Sequence, residues 1–258
     1  MQRASFTRDG LELSYLDSGA EDGSGRVVVA LHGHLMEAVT FEPLASGLTS
    51  TGWRVVALDQ RGHGHSQHAG SYTRDDHLGD LLAFVDHLGL DRAVFLGHSL
   101  GGVNAYQFAV RHPERVDGLV IEDIGAEVTT GLELCLPWAG VYPTEQALAD
   151  RLGERFADYF RASFRRVDGG WTLAFEPAEM VESGKNLQGD HWADWLASTC
   201  PALVVRGIDS AVTIHDDISD MALRRPHTTM VILPGGHTVH VDSPDGFLGE
   251  VQRFLDGI

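Results

Sequence analysis

Between Val27 and Asp123 the chain alternates between two periodicities, and this most narrows the folds open to it. Short β-branched runs occur in "RVVVALHG", "WRVVALD", "AVFLG" and "VDGLVIED", each of which closes on a glycine or an acid. Helical spacing fills the gaps. "PLASGLTSTG" suggests a short helix, and Thr73 opens a longer one with Asp76 at capping-box distance. Leu78, Leu81, Leu82, Val85 and Leu88 mark one face of that helix. Leu100 to Arg111 reads as another helix, stopped by His112-Pro113. Strand and helix in strict succession predict a mostly parallel sheet with helices on both faces.

Upstream, "ASFTRDGLELSYLDSG" reads as two strands around an Asp9-Gly10 turn. Downstream, the rhythm breaks from Gly125 to Thr199, a stretch rich in helical patterns and aromatics. It resumes with "PALVVRG", a helix near His215 to Leu223, "TTMVILPGG", and a last helix from Pro244 to Leu255. The expectation is an eight-stranded sheet built from 1–124 and 200–258, with 125–199 inserted as a helical cap. The 258 residues suit one large α/β domain.

Nineteen basic and 37 acidic residues leave a formal charge of −18, a field that repels nucleic-acid phosphates and anionic membranes. The chain should therefore have no nucleic-acid or membrane partner. Cys135 and Cys200 form neither a disulfide framework nor a ligand cluster. With no apolar leader at "MQRASFTRDG", these features point to the cytoplasm.

Chemistry concentrates in Gly97-His98-Ser99-Leu100-Gly101. A chain passing directly from strand to helix turns so sharply that the apex residue is strained and its side chain stands above the sheet. Cβ atoms two positions either side would collide there, and Gly97 and Gly101 lack them. Ser99 is thereby exposed at a helix N-terminus, beside the Leu100 N–H. "GHSLGG" matches neither dinucleotide nor Walker spacing.

With "LHGH" at 31–34, "LDQRGHGHS" at 58–66 and "LPGGHTVHVDSPDGF" at 233–247, the sequence resembles the α/β-hydrolase superfamily along essentially its whole length. The resemblance implies Ser99 as nucleophile, His237 as base, and the backbone N–H groups of His34 and Leu100 as oxyanion donors. Gly33 permits the turn before His34, and His32 packs beneath the site. His240 reads as structural. His63, His65 and His68 lie on an irregular loop without carboxylate or cysteine at ligand spacing, so no metal is expected. The acid departs from the family's commonest pattern: Gly207-Ile208-Asp209-Ser210 places Asp209 one position early, with serine in the usual slot. Some members carry the acid at the preceding strand end, here Asp123. We favour Asp123, with Asp209 as the alternative and Glu122, Asp216 or Asp217 behind it.

These residues imply acyl transfer from a small or medium apolar ester, with no cofactor. Serine at the elbow argues against the dehalogenase and epoxide-hydrolase branches, which use aspartate there. The same set serves carbon–carbon hydrolases, lactonases, thioesterases and cofactor-free perhydrolases, or a ligand receptor on a hydrolase scaffold. Gly33, His98, Trp138 and Trp192 are expected at the pocket, with Leu132, Leu134, Leu136, Phe160 and Trp195 as further candidates for its apolar wall. Oligomeric state is not encoded in any motif.

Overall fold

The computed structural model describes residues 1–19, 25–129 and 131–258. A hairpin opens the chain, β1 (Gln2–Arg8) and β2 (Leu11–Asp17), turning at Asp9 and Gly10. Then come β3 (Val27–Leu31), α1 (Glu42–Thr49), β4 (Arg54–Leu58), α2 (Arg74–His87), β5 (Ala93–His98), α3 (Leu100–Arg111) and β6 (Val116–Glu122). Past β6 the chain leaves the sheet for β7 (Glu127–Val128), α4 (Glu145–Leu152), α5 (Glu154–Tyr159), β8 (Phe164–Val167), β9 (Gly170–Leu173), α6 (Pro177–Leu187), β10 (Gly189–Asp190) and α7 (Trp192–Ala197). It returns through β11 (Ala202–Gly207), α8 (His215–Arg224), β12 (Thr228–Leu233), α9 (Val239–Asp242) and α10 (Pro244–Leu255).

The eight-stranded sheet has the order β1-β2-β4-β3-β5-β6-β11-β12. Pairs β1–β2 and β2–β4 are antiparallel, and the remaining five are parallel. Central strands read as unbroken apolar runs because both faces are covered. Along β5, Phe95 packs with α2 and α3 through Phe84 and Phe108, while Val94 and Leu96 join α1 and α10 through Leu48 and Phe247. Thr73 caps α2 with the full reciprocal box to Asp76, as its spacing predicts.

The stretch read as helical holds more strand than expected. Strands β8 and β9 form a hairpin around Asp168-Gly169, and β7 pairs with β10. Asp-Gly between apolar alternations is itself a hairpin signal. A third apolar cluster, including Cys135, Trp138, Leu148, Phe164, Phe175 and Met180, rests on Leu35 and Tyr72. Among the described residues, no helix is long and apolar enough to cross a membrane.

Candidate active site

The end of β5 delivers Ser99 as the sequence requires. Ser99 has φ 51° and ψ −114°, a region that L-residues avoid. A Cβ on Gly97 would stand 2.2 Å from Gly101 O, and one on Gly101 would stand 2.1 Å from Leu31 O. Both are impossible contacts with backbone, so the elbow closes only with glycine at both places. Leu35 (φ 68°) and Asp123 (φ 49°) are also in the left-handed region. Among the described residues, three of the five such non-glycine positions thus converge here, as stored strain does at functional sites.

Asp123, just past β6, accepts a hydrogen bond from His237 Nδ1 at 2.8 Å through Oδ2. Ser210 Oγ donates to the same oxygen (2.5 Å), while Thr213 Oγ1 (2.9 Å) and the Gly207 N–H (3.1 Å) donate to Oδ1. A carboxylate holding four donors only accepts, so His237 carries a proton on Nδ1 and keeps Nε2 free of Asp123. Asp209 is exposed; its backbone N–H bonds Gly235 O (2.9 Å), and its carboxylate makes no bond to His237. Asp216 and Asp217 are exposed at the start of α8. Glu122 holds His240 instead, through Nδ1 at 2.8 and 2.9 Å.

Ser99, His237, His98 and His34 border one cavity of about 200 Å³. Neither Ser99 Oγ nor His237 Nε2 has a hydrogen-bond partner among the described residues, so both are available to a substrate. Catalytic contacts of this kind commonly tighten only once substrate is bound. The His34 and Leu100 N–H groups likewise have no acceptor among the described residues. His34 lies in a turn closed by Met36 N–H to Gly33 O (3.3 Å). Its imidazole meets Ser183 Oγ at 2.9 Å, and burial, reinforced by the Arg74 charge and neighbouring imidazoles, pushes its pKa down to about 3. His98 donates from Nε2 to His237 O (2.9 Å) and is also lowered by burial. Gly33 is required beneath it, since a Cβ there would stand 2.5 Å from His98 Nδ1.

The apolar wall differs from expectation. Leu132, Leu134, Phe156, Tyr159 and Phe160 line the cavity, but Trp138 and Trp192 do not. Trp138 sits one layer back, its ring 5.3 Å from Phe156 and 5.9 Å from Phe160. Trp192 lies at the start of α7, under the Arg224 guanidinium at 3.8 Å. Trp195 is sealed in the sheet core with its indole N–H on Met221 O, and Leu136 faces solvent. An aromatic spaced for a helix packs against whichever core is nearest, which sequence does not specify. His63 is buried against His32, whereas His68 bonds Glu179 Oε2 at 2.6 Å. Among the described residues no three ligand groups converge on one point. Ser210, Thr213 and Ser183 carry no sequence signal beyond the serine standing in the usual acid slot.

A strained serine at the end of a parallel strand borders the same cavity as an imidazole that a carboxylate holds, an arrangement suited to hydrolytic chemistry. A profile of the alpha/beta hydrolase fold family matches residues 26–185, and the chain belongs to that family. It is 29% identical over 254 residues to 2-(acetamidomethylene)succinate hydrolase of Mesorhizobium japonicum, covering 92% of this chain and 90% of that one. It is 28% identical over 267 residues to the sn-1-specific diacylglycerol lipase ABHD11 of Mus musculus, covering 95% and 85%. An α/β hydrolase from Novosphingobium aromaticivorans superposes with TM-score 0.86 at 27% identity, covering 100% and 98%.

Proposed function

We propose that the protein is a serine hydrolase that cleaves small or medium apolar carboxylic esters through an acyl-enzyme. The observation that carries this is the shared cavity: Ser99, His34 and the Asp123-oriented His237 border one apolar chamber, and the Leu100 N–H follows Ser99 directly in the chain. His237 Nε2 takes the Ser99 proton as Oγ attacks the ester carbonyl. The His34 and Leu100 N–H groups hold the oxyanion, each worth about 3 kcal/mol of barrier. His237 then protonates the departing alcohol, and water activated by the same nitrogen frees the acid. No step calls for a cofactor.

Residues 125–199 set the substrate range as a cap over the sheet. A cavity of about 200 Å³ lies below the usual range of about 300–1,000 Å³ for ligand pockets, which favours short acyl groups. No lysine or arginine occurs among its described lining residues. A dicarboxylate, such as the Mesorhizobium relative's name denotes, would leave its charges unpaired there.

A fluorophosphonate is expected to add one phosphonyl group at Ser99, located by peptide mass, and Ser99→Ala to abolish both adduct and turnover. Hydrolysis undiminished in Ser99→Ala would sink the reading. Phe160→Ala is expected to raise the octanoate-to-acetate ratio of kcat/KM at least tenfold on p-nitrophenyl esters, since one accommodated methylene is worth about 10-fold or more. Trp192→Ala should leave that ratio unchanged.

A further inference from the structure

Two adjacent acids at the end of β6 hold two histidines three residues apart, His237 in the loop before α9 and His240 within α9. Asp123 takes His237, and Glu122 takes His240. Glu122 does more than pair with an imidazole. Its Oε1 also accepts the His240 backbone N–H (2.8 Å), and its own carbonyl accepts the Ser99 N–H (3.0 Å). One residue thus grips the serine elbow by its main chain and α9, just past His237, by its side chain. On the other side of the ring, His240 Nε2 meets Thr40 Oγ1 at 3.1 Å, and the imidazole stacks on Phe41 with centroids 4.5 Å apart. Thr40 and Phe41 follow closely on the loop that carries His34. His98 fills the gap between the two imidazoles, 4.6 Å from His237 and 5.4 Å from His240.

Glu122 and His240 are almost wholly sealed from water, at 0% and 1% side-chain exposure. Burying such a pair is costly and adds little net stability over apolar packing of the same shape. Its geometric product is specific: it fixes the elbow, the histidine loop and the oxyanion loop to one another. We propose that Glu122 and His240 are positioning residues, which act through His237 by holding its imidazole over Ser99 without touching substrate. This rests on the ester-hydrolase reading for its kinetic consequence and on geometry alone for its structural one.

The test compares three variants: His240→Phe, which keeps the ring's packing; the double variant Glu122→Gln/His240→Phe, which leaves no stranded charge; and His240→Asn, which restores a donor toward Glu122. Each is measured for kcat and KM on p-nitrophenyl butyrate, for thermal melting, and for the low-field proton resonance of His237 Nδ1–H, identified by its loss in His237→Gln. In the double variant we expect cooperative melting, a roughly 100-fold fall in kcat, KM within about threefold, and a displaced or broadened His237 resonance, as a shift near 1 Å in a reacting group produces. His240→Asn should recover at least tenfold of the lost kcat. A folded double variant with kcat within about threefold of the original and an unmoved resonance overturns the proposal. So does a fall in kcat with the resonance unmoved and no recovery in His240→Asn. If the unsubstituted protein neither turns over esters nor takes a fluorophosphonate, the ester reading fails, and the His237 resonance still decides the positioning role.

Discussion

Asp123→Asn is expected to lower kcat about 10⁴-fold on a p-nitrophenyl ester, while Asp209→Asn stays within about twofold of the parent. The size follows from what an oriented carboxylate does for a base. With Asp123 ionised, His237 keeps its proton on Nδ1 and offers Nε2 to the serine; an amide can donate to Nδ1 and trap the opposite tautomer, a change that costs about 10⁴ in serine proteases built on the same logic. The surroundings of Asp123 sharpen the effect. Ser210 and Thr213 hydroxyls and the Gly207 N–H all donate to its oxygens, and an asparagine NH₂ must face at least one of those donors. Asp209 reaches none of this network and is exposed. Steady-state kinetics of the two variants, with circular dichroism to establish folding, decide the matter. A collapse of activity in Asp209→Asn alone would transfer the role.

Why these two acids could be weighed from sequence, and other features could not, has a physical reason. The elbow is a local construction: strand, glycines and helix all lie within about a dozen residues, so Gly97, Ser99 and Gly101 betray it directly. The sheet is equally legible, since each buried strand must be apolar on both faces. Asp123 and His237 are 114 residues apart, yet both sit at strand ends on the same sheet edge, and topology brings such ends together. The wall of the cavity has no such constraint. Trp138 and Trp192 share composition and spacing with true lining residues, but one backs Phe156 and the other lies under Arg224 of α8. Their placement depends on how the stretch after β6 folds over Leu35 and Tyr72, a packing problem with no local signature. Glu122 and His240 are a middle case: their chemistry is visible as residue types, but their pairing needs the β6 end and the histidine loop in register.

The histidines themselves carry the second large effect, on stability. His32, His63, His77 and His98 are buried, and burial lowers the pKa of each, with neighbouring cations and imidazoles adding to the effect at several. His34 joins them at about 3. Each stays neutral in the native state at a pH where the unfolded chain, near 6.5, takes up a proton. Around and below pH 6.5 the unfolded state therefore binds more protons, and stability falls as pH falls; the slope fades about one unit above that pH. His34 alone loses about 1.4 kcal/mol by pH 5.5 relative to high pH, and the other four buried rings shift stability in the same direction. Asp76, drawn down to about 2 by Ser71, Thr73 and Arg61 against its own partial burial, adds to the loss at lower pH; Glu37, raised by burial, opposes it. Urea titrations at pH 8, 6.5 and 5.5 should show a smaller loss across the first interval than across the second, where His34 alone removes about 1 kcal/mol and the other buried rings remove more. A free energy that moves by less than about 1 kcal/mol between pH 6.5 and 5.5 would mean that these rings admit protons in the folded state.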